Sequence, residues 1–290
     1  MYGVRVRDNS QQAEIVTVIR PRAGWFDVNI SELWRYRDLI GMFVWRDFVA
    51  VYKQTILGPL WFLLQPLLTT IVFTIIFGNV AKLPTDGLPP FLFYLSGVVP
   101  WRYFSDCLNN TSNTIVSNAQ IFGKVYFPRL AVPVSVVISN LISFGVQFLL
   151  FLGFFLYYWH ATPLVRPQAT LMLLPVLILQ MAALGLGAGI IVSSMTTRYR
   201  DLAHLVGFGV QLWMYATPIV YPSSALSDNW RFLFLLNPMA PVIEGFRSSF
   251  LGTGSLDFAS WGISLCITAF VLLTGLLLFN RVEKTSMDTV

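Results

Sequence analysis

From residue 57 to residue 80 the chain reads LGPLWFLLQPLLTTIVFTIIFGNV, twenty-four residues without one formal charge. At about 1.5 Å per residue that is roughly 36 Å of helix, more than the ~30 Å of a bilayer core. The run predicts a membrane span and constrains everything around it. Just before it, NISELWRYRDLIGMFVWRDFVAVYKQT has a different pattern. Leu33, Tyr36, Ile40, Phe43, Val44 and Val51 recur at helical spacing, with Arg35, Asp38, Arg46 and Asp47 largely off that stripe. This predicts an amphipathic helix over 31–52 lying in the membrane interface, its start capped by Asn29 with Glu32 three residues on.

Five further segments read as spans: 91–116, 130–159, 170–194, 202–221 and 261–279. The second is the least apolar. It carries Arg102, Asp106, Asn109, Asn110 and Asn113, which must face protein or water and not lipid. In the fourth, GLGAG (185–189) sets small residues four apart, the spacing that lets helices approach closely. Six spans put both termini on one side. Fourteen of the nineteen Lys and Arg residues fall on that side, which the positive-inside rule makes the cytosol. The expected organisation is a cytosolic extension (1–30, with a brief strand at 14–21), the interface helix (31–52) and a six-span domain (53–290).

Between the fifth and sixth spans, NPMAPVIEGFRSSFLG offers Asn237 as N-cap, Pro238 at the first helical position and Gly252 as the stop. Such a helix is too short to span. With NWRFLFLL (229–236) before it, two short helices on the outer side are expected to dip into the membrane and return. The fold class is therefore an all-α membrane protein: six transmembrane helices, an N-terminal amphipathic interface helix and two short extracytoplasmic gate helices.

Only 11% of residues are charged, against about 25% in soluble domains. The pI near 9.3 comes from basic residues flanking spans, so topology and not nucleic acid explains it. Cys107 and Cys266 lie in apolar segments, and no disulfide framework is expected. No cleavable signal peptide is visible at the start. A phosphate-binding loop is missing, since Gly123–Lys124 is followed by Val125 and Asn118 stands where its first glycine belongs. His160 and His204 fall on opposite sides of the expected membrane, so neither a nucleophile triad nor a metal site assembles from them. Catalysis and cofactors are not expected of this chain.

A path for polar cargo needs polar and aromatic side chains on one face of a span. Trp61, Gln65, Thr69, Phe73 and Phe77 recur at steps of four in the first span. His204, Phe208, Gln211, Tyr215 and Pro218 share a face of the fifth. Aromatic faces stack on sugar C–H groups, and amides exchange hydrogen bonds with hydroxyls, so the combination suits a glycan better than a bare ion. Arg102 and Asp106, at i and i+4, read as a structural ion pair near the outer interface. Arg46, Lys53 and Arg129 set topology and are candidates for holding an anionic lipid headgroup.

Taken in order, IRPRAGW, the aromatic amphipathic helix, YKQTILGPLWFLLQPLL, GKVYFPR, RYRD and LNPMAPVIEGFR resemble the membrane subunit of type 2 ABC exporters for polysaccharides. These are the Wzm-like O-antigen permeases of lipopolysaccharide biosynthesis, with capsule and teichoic-acid exporters as relatives. The likeness covers nearly the whole chain from about Val18. It implies a homodimer in the bacterial inner membrane, joined by two copies of a Wzt-like ATPase that binds ATP and Mg. The implied cargo is a glycan on a polyprenyl-pyrophosphate lipid. The resemblance further implies an entry turn at Leu57–Gly58, an ATPase-coupling loop with Gln120, Phe122, Lys124 and Tyr126, and gate helices with Trp230, Asn237, Glu244 and Arg247. It also makes the first and fifth spans the lining of the conduit. The rival readings are an exporter of drugs or small lipids, a membrane-bound glycan-modifying enzyme and a scaffold.

Overall fold

The computed structural model describes residues 30–53, 56–122, 127–196, 201–225, 231–254 and 256–285, and the regular structure among them is helical. α1 (Ile30–Arg35) and α2 (Arg37–Lys53) precede α3 (Leu60–Phe73), which continues as a π-helical stretch, Thr74–Val80. α4 (Pro90–Ser112) is followed by two single turns, α5 (Thr114–Ser117) and α6 (Ala119–Phe122), and then by the long α7 (Ala131–Ala161). A 3-10 stretch, Ala169–Leu173, leads into α8 (Leu174–Thr196); α9 (Leu202–Ala216), α10 (Arg231–Leu236), α11 (Met239–Leu251) and α12 (Phe258–Thr285) complete the order. Among the described residues, four stretches are long and apolar enough to cross a membrane: Leu60–Val80, Ala131–Ala161, Ala169–Thr196 and Phe258–Arg281. The chain is a multi-pass membrane protein. The expected 14–21 strand, the rest of the 1–29 segment, the Asn29 cap, Lys124, Tyr126 and Trp230 lie outside the described residues.

The core forms where α8 meets α4 on one side and α12 on the other, and glycine makes both contacts possible. A Cβ on Gly185 would sit 2.6 Å from the Cβ of Cys107, and one on Gly189 would sit 2.5 Å from that of Thr111, both on α4. A Cβ on Gly187 would lie 2.7 Å from the Cα of Leu272, and one on Gly275 would lie 2.6 Å from the carbonyl oxygen of Gly187. The GLGAG run thus serves two interfaces, its odd members dividing between α4 and α12. Gln180 adds a polar tie in the same seam. Its Nε2 donates to Ser264 Oγ at 2.7 Å, and its Oε1 accepts from Trp261 Nε1 at 2.9 Å.

Three expected boundaries shift, each for a local reason. The fifth segment is helical only to Ala216, because Pro218 drives the preceding residue out of the helical region; Thr217 sits at φ −99°, ψ 145°. Fifteen residues make about 22 Å, short of a bilayer core. The second segment breaks at Asn113 (φ −102°, ψ 0°), so α5 is separate from α4. The last helix starts earlier than expected, at Phe258, since the Asp257 carboxylate caps it by accepting from the N–H groups of Ala259 (3.1 Å) and Ser260 (3.3 Å).

The amphipathic helix divides at Tyr36 into α1 and α2, and its apolar stripe does not face the membrane as expected. Ile40 and Phe43 are buried against Phe127, Ala131 and Val132 at the start of α7, with Leu33, Tyr36 and Val44 beside them. Trp34 (71% exposed), Met42 and Trp45 (69%) point away from the protein and are the residues left for an interface. The stripe was legible as a burial face; what it is buried against is protein.

Candidate conduit-lining site

α3 contains Pro66, whose carbonyl accepts the Thr70 hydroxyl at 2.7 Å, and Thr70 in turn accepts the Thr74 hydroxyl on its carbonyl at 2.7 Å. These back-bonds keep the polar atoms of a charge-free helix satisfied within it. Beyond them lies a cavity of about 490 Å³ between α3, α4 and α9. Thr69 and Phe73 reach it from α3, Trp101, Arg102, Ser105 and Asn109 from α4, and Gln211 and Tyr215 from α9. The Phe73 and Tyr215 rings stand 6.5 Å apart and close the lining across two helices.

The two sequence stripes therefore meet, but not along their whole length. Thr69, Phe73, Gln211 and Tyr215 share the cavity; Trp61 (41% exposed) and Phe208 (61%) lie outside its lining. Phe77 packs edge-on against Phe73 at 5.4 Å, and Pro218 falls beyond the end of α9. Gln65 is at the margin, its Oε1 accepting a hydrogen bond from an Nη of Arg102. Arg102 Nε also donates to Asp106 Oδ2 at 2.9 Å, so the i,i+4 ion pair forms as read. α4 brings in Asn109, one of the polar residues expected to face protein or water, and with it Trp101 and Ser105, which the polar pattern alone did not mark although the three recur at steps of four. The other two asparagines of this segment turn elsewhere. Asn110 bonds Asn140 of α7 at 3.1 Å, and Asn113 donates to the Asn109 carbonyl at 3.3 Å.

On the far side of α9, α10 and α11 hold its end in place. The Asn237 side chain is the hub. Its Oδ1 accepts from the Met239 N–H (3.0 Å), capping α11, and from Trp213 Nε1 (3.1 Å). Its Nδ2 donates to Thr217 Oγ1 (2.9 Å) and to the Ala216 carbonyl (3.3 Å). α11 is buried along nearly its whole length, which makes it a core helix in this chain. Gly252 ends it in the left-handed region at φ 74°. Arg247 is buried with its guanidinium 3.7 Å from the centroid of Phe93, donating to Ser96 Oγ and the Ile219 carbonyl, each at 3.3 Å. Burial pulls that guanidinium down to about 10, so it stays charged at neutral pH. Burial also raises the Glu244 carboxyl, against the lowering effect of hydrogen bonds from Ser223 and the charge of Arg247.

At the opposite end, Leu57 and Gly58 make the turn into α3: Leu60 and Trp61 donate to their carbonyls at 3.0 and 3.3 Å, and Gly58 adopts φ 50°. Phe122 lies 5.7 Å from Phe127, which lies 5.7 Å from Phe43 of α2. The Arg129 guanidinium sits 5.6 Å above Phe122. Arg46 pairs with Asp47 at 2.8 Å and reaches Asn118 Oδ1 at 3.5 Å, while Gln120 and Lys53 are exposed. Among the described residues no three His, Cys, Asp or Glu side chains gather in a way that would hold a metal.

A profile described as ABC-2 type transporter matches residues 38–251. The "O-antigen export system permease protein RfbA" of Klebsiella pneumoniae is 30% identical over 247 residues, 85% of this chain and 92% of that protein. Its namesake in Myxococcus xanthus is 32% identical over 225 residues, 76% and 83% of the two chains. The "Polysialic acid transport protein KpsM" of Escherichia coli is more distant, 23% identical over 242 residues, 80% of this chain and 89% of that protein.

Proposed function

Because the chain belongs to the ABC-2 type transporter family, we propose that it is the membrane subunit of an ATP-driven exporter that moves lipid-linked polysaccharide of O-antigen type out of the cytosol across the bacterial inner membrane. The observation that carries this reading is the cavity in which Phe73, Trp101 and Tyr215 face Thr69, Asn109 and Gln211. Rings for sugar C–H faces and amides for hydroxyls come together there on three different helices. The chain acts as a homodimer of six-span subunits with both termini cytosolic, α4 and the short α9 adding the second and fifth crossings to the four long apolar stretches. α9 completes its crossing with the non-helical residues that Asn237 holds. The outward faces of α3 and α9, which carry Trp61, Phe208 and Leu212, meet the second copy.

ATP and Mg bind a separate ATPase, one copy per subunit, docked at Gln120–Phe122 and the loop that follows. From there Phe122, Phe127 and Phe43 pass movement to α2 and α7. The polyprenyl-pyrophosphate lipid enters beside α2 and α3, where Arg46, Lys53 and Arg129 are at hand, and α10–α11 form the outer gate.

The test is ATP-dependent glycan export by the chain co-expressed with its ATPase, comparing wild type with Tyr215→Ala and Gln211→Ala. Export lost with dimer and ATPase binding intact supports the lined conduit. Unchanged export in both variants returns the stripe to packing. Wild-type ATP hydrolysis without glycan export hands the chain to a drug or small-lipid exporter.

A further inference from the structure

Among the described residues Arg102 is the one charged side chain in the lining of the cavity, and its partner Asp106 lies 2.9 Å away. A guanidinium in a spanning helix is tolerated when a carboxylate neutralises it. Here the pair is neutral without being sealed, since the side chains keep 36% and 28% of their exposure. Nε serves Asp106 and one Nη serves Gln65, which leaves further Arg102 N–H donors at the cavity wall, with the partly exposed Asp106 carboxylate, outside the lining itself, keeping spare acceptor capacity beside them. The rest of the lining is uncharged.

We propose that the Gln65–Arg102–Asp106 bridge is the specificity-determining contact of this site, and that it selects uncharged, hydroxyl-rich glycan over acidic glycan. The inference rests on the conduit reading above. A sugar hydroxyl both donates and accepts, so neighbouring hydroxyls can accept from the Arg102 guanidinium while donating to the Asp106 carboxylate. The Gln65 amide oxygen already occupies one of these positions as a neutral acceptor, and a hydroxyl replaces it bond for bond. A sugar carboxylate only accepts. It reaches Arg102 by approaching the like charge of Asp106, or by displacing that carboxylate and leaving it unpaired in apolar surroundings, and either route is unfavourable. Phe73, Trp101 and Tyr215 supply stacking to both kinds of polymer, so the charge arrangement alone discriminates.

The experiment is equilibrium dialysis of radiolabelled maltoheptaose and heptagalacturonate against the full chain in nanodiscs of phosphatidylcholine, whose zwitterionic headgroups add no net surface charge. Wild type is expected to bind the neutral oligosaccharide at least about tenfold more tightly. Gln65→Lys, at an exposed position of α3, makes the site cationic and is expected to reverse the preference; Asp106→Asn does the same by unpairing Arg102. Equal binding of the two probes, or a preference that Gln65→Lys leaves in place, overturns the inference while leaving the conduit intact. Failure of wild type to bind either probe, or binding indifferent to Tyr215→Ala, overturns the conduit reading and this inference with it.

Discussion

The Phe73 and Tyr215 rings lie 6.5 Å apart and tilted by 47°, although 142 positions separate them in the chain. Tyr215 is in the last turn of α9, and Phe73 is the last residue of α3 before the helix loosens into its π-helical end. Their meeting turns two separate stripes into one wall. It also makes that wall depend on whatever fixes the end of α9.

Asn237 fixes it. Asn237→Ala removes the cap of α11 and leaves Trp213 Nε1 and the Thr217 hydroxyl without their partner. Loss of the cap and the stranded polar groups together should cost about 2–4 kcal/mol. Thermal unfolding in detergent should show a fall of about 5 °C or more. Asn237→Asp keeps the capping oxygen and should recover part of that loss.

Glycine substitutions should separate a tight helix seam from an open one. Gly187→Leu drives a side chain into the backbone of α12 at Leu272 and should prevent assembly of a monodisperse protein. Gly153→Leu, on α7 where a Cβ meets nothing within 4 Å, should be neutral. Size-exclusion chromatography of the two variants checks the contrast; equal behaviour would mean that α8 and α12 are not held so closely.

Gly58 carries the turn into α3 at φ 50°, a region that costs other L-residues about 1–2 kcal/mol. Gly58→Ala should therefore displace the start of α3 more than it lowers overall stability. The readout is export against thermal stability, with export expected to fall first.

Arg247 cannot be exchanged for lysine. A lysine keeps the charge but not the planar fork that meets Phe93, Ser96 and Ile219 together. Arg247→Lys should destabilise the protein by about 1–3 kcal/mol, and Arg247→Met by no less, since Ser96 and the Ile219 carbonyl stay buried. Chemical denaturation of the reconstituted protein measures both.

Phe122→Ala should cut the aromatic path from α6 to α2, a change worth about 3 kcal/mol where the ring is fully buried and less here. The expected signature is ATP hydrolysis that continues while export falls. Parallel loss of both would mean that Phe122 is needed for docking the ATPase itself.

Much of this was readable before any fold was known. The charge-free run at 57–80, the small-residue spacing at 185–189 and the cap at Asn237 each follow from chemistry local to a few residues. Other features were not. Asp106 was visible as a partner for Arg102 because i and i+4 meet on any helix, whereas Gln65 is thirty-seven residues from Arg102 and could only be joined to it by packing. The α2 stripe shows the same limit. Period alone reports that Ile40 and Phe43 are buried, and it is silent on whether lipid or Phe127 does the burying.

Sequence by itself determined the class of protein and its helical segments, because uncharged length and helical period act through the nearest few residues and the solvent. It also determined which side chains were fit to meet a sugar. Tertiary structure decided which of them line one cavity: Thr69, Phe73, Gln211 and Tyr215 came inside, Trp61 and Phe208 did not, and α4 supplied a third wall. The reason is geometric. A stripe fixes directions around one helix axis, and the angle and depth at which two axes meet are set by contacts such as Gly185 on Cys107 and Asn237 on Trp213, between residues far apart in the chain.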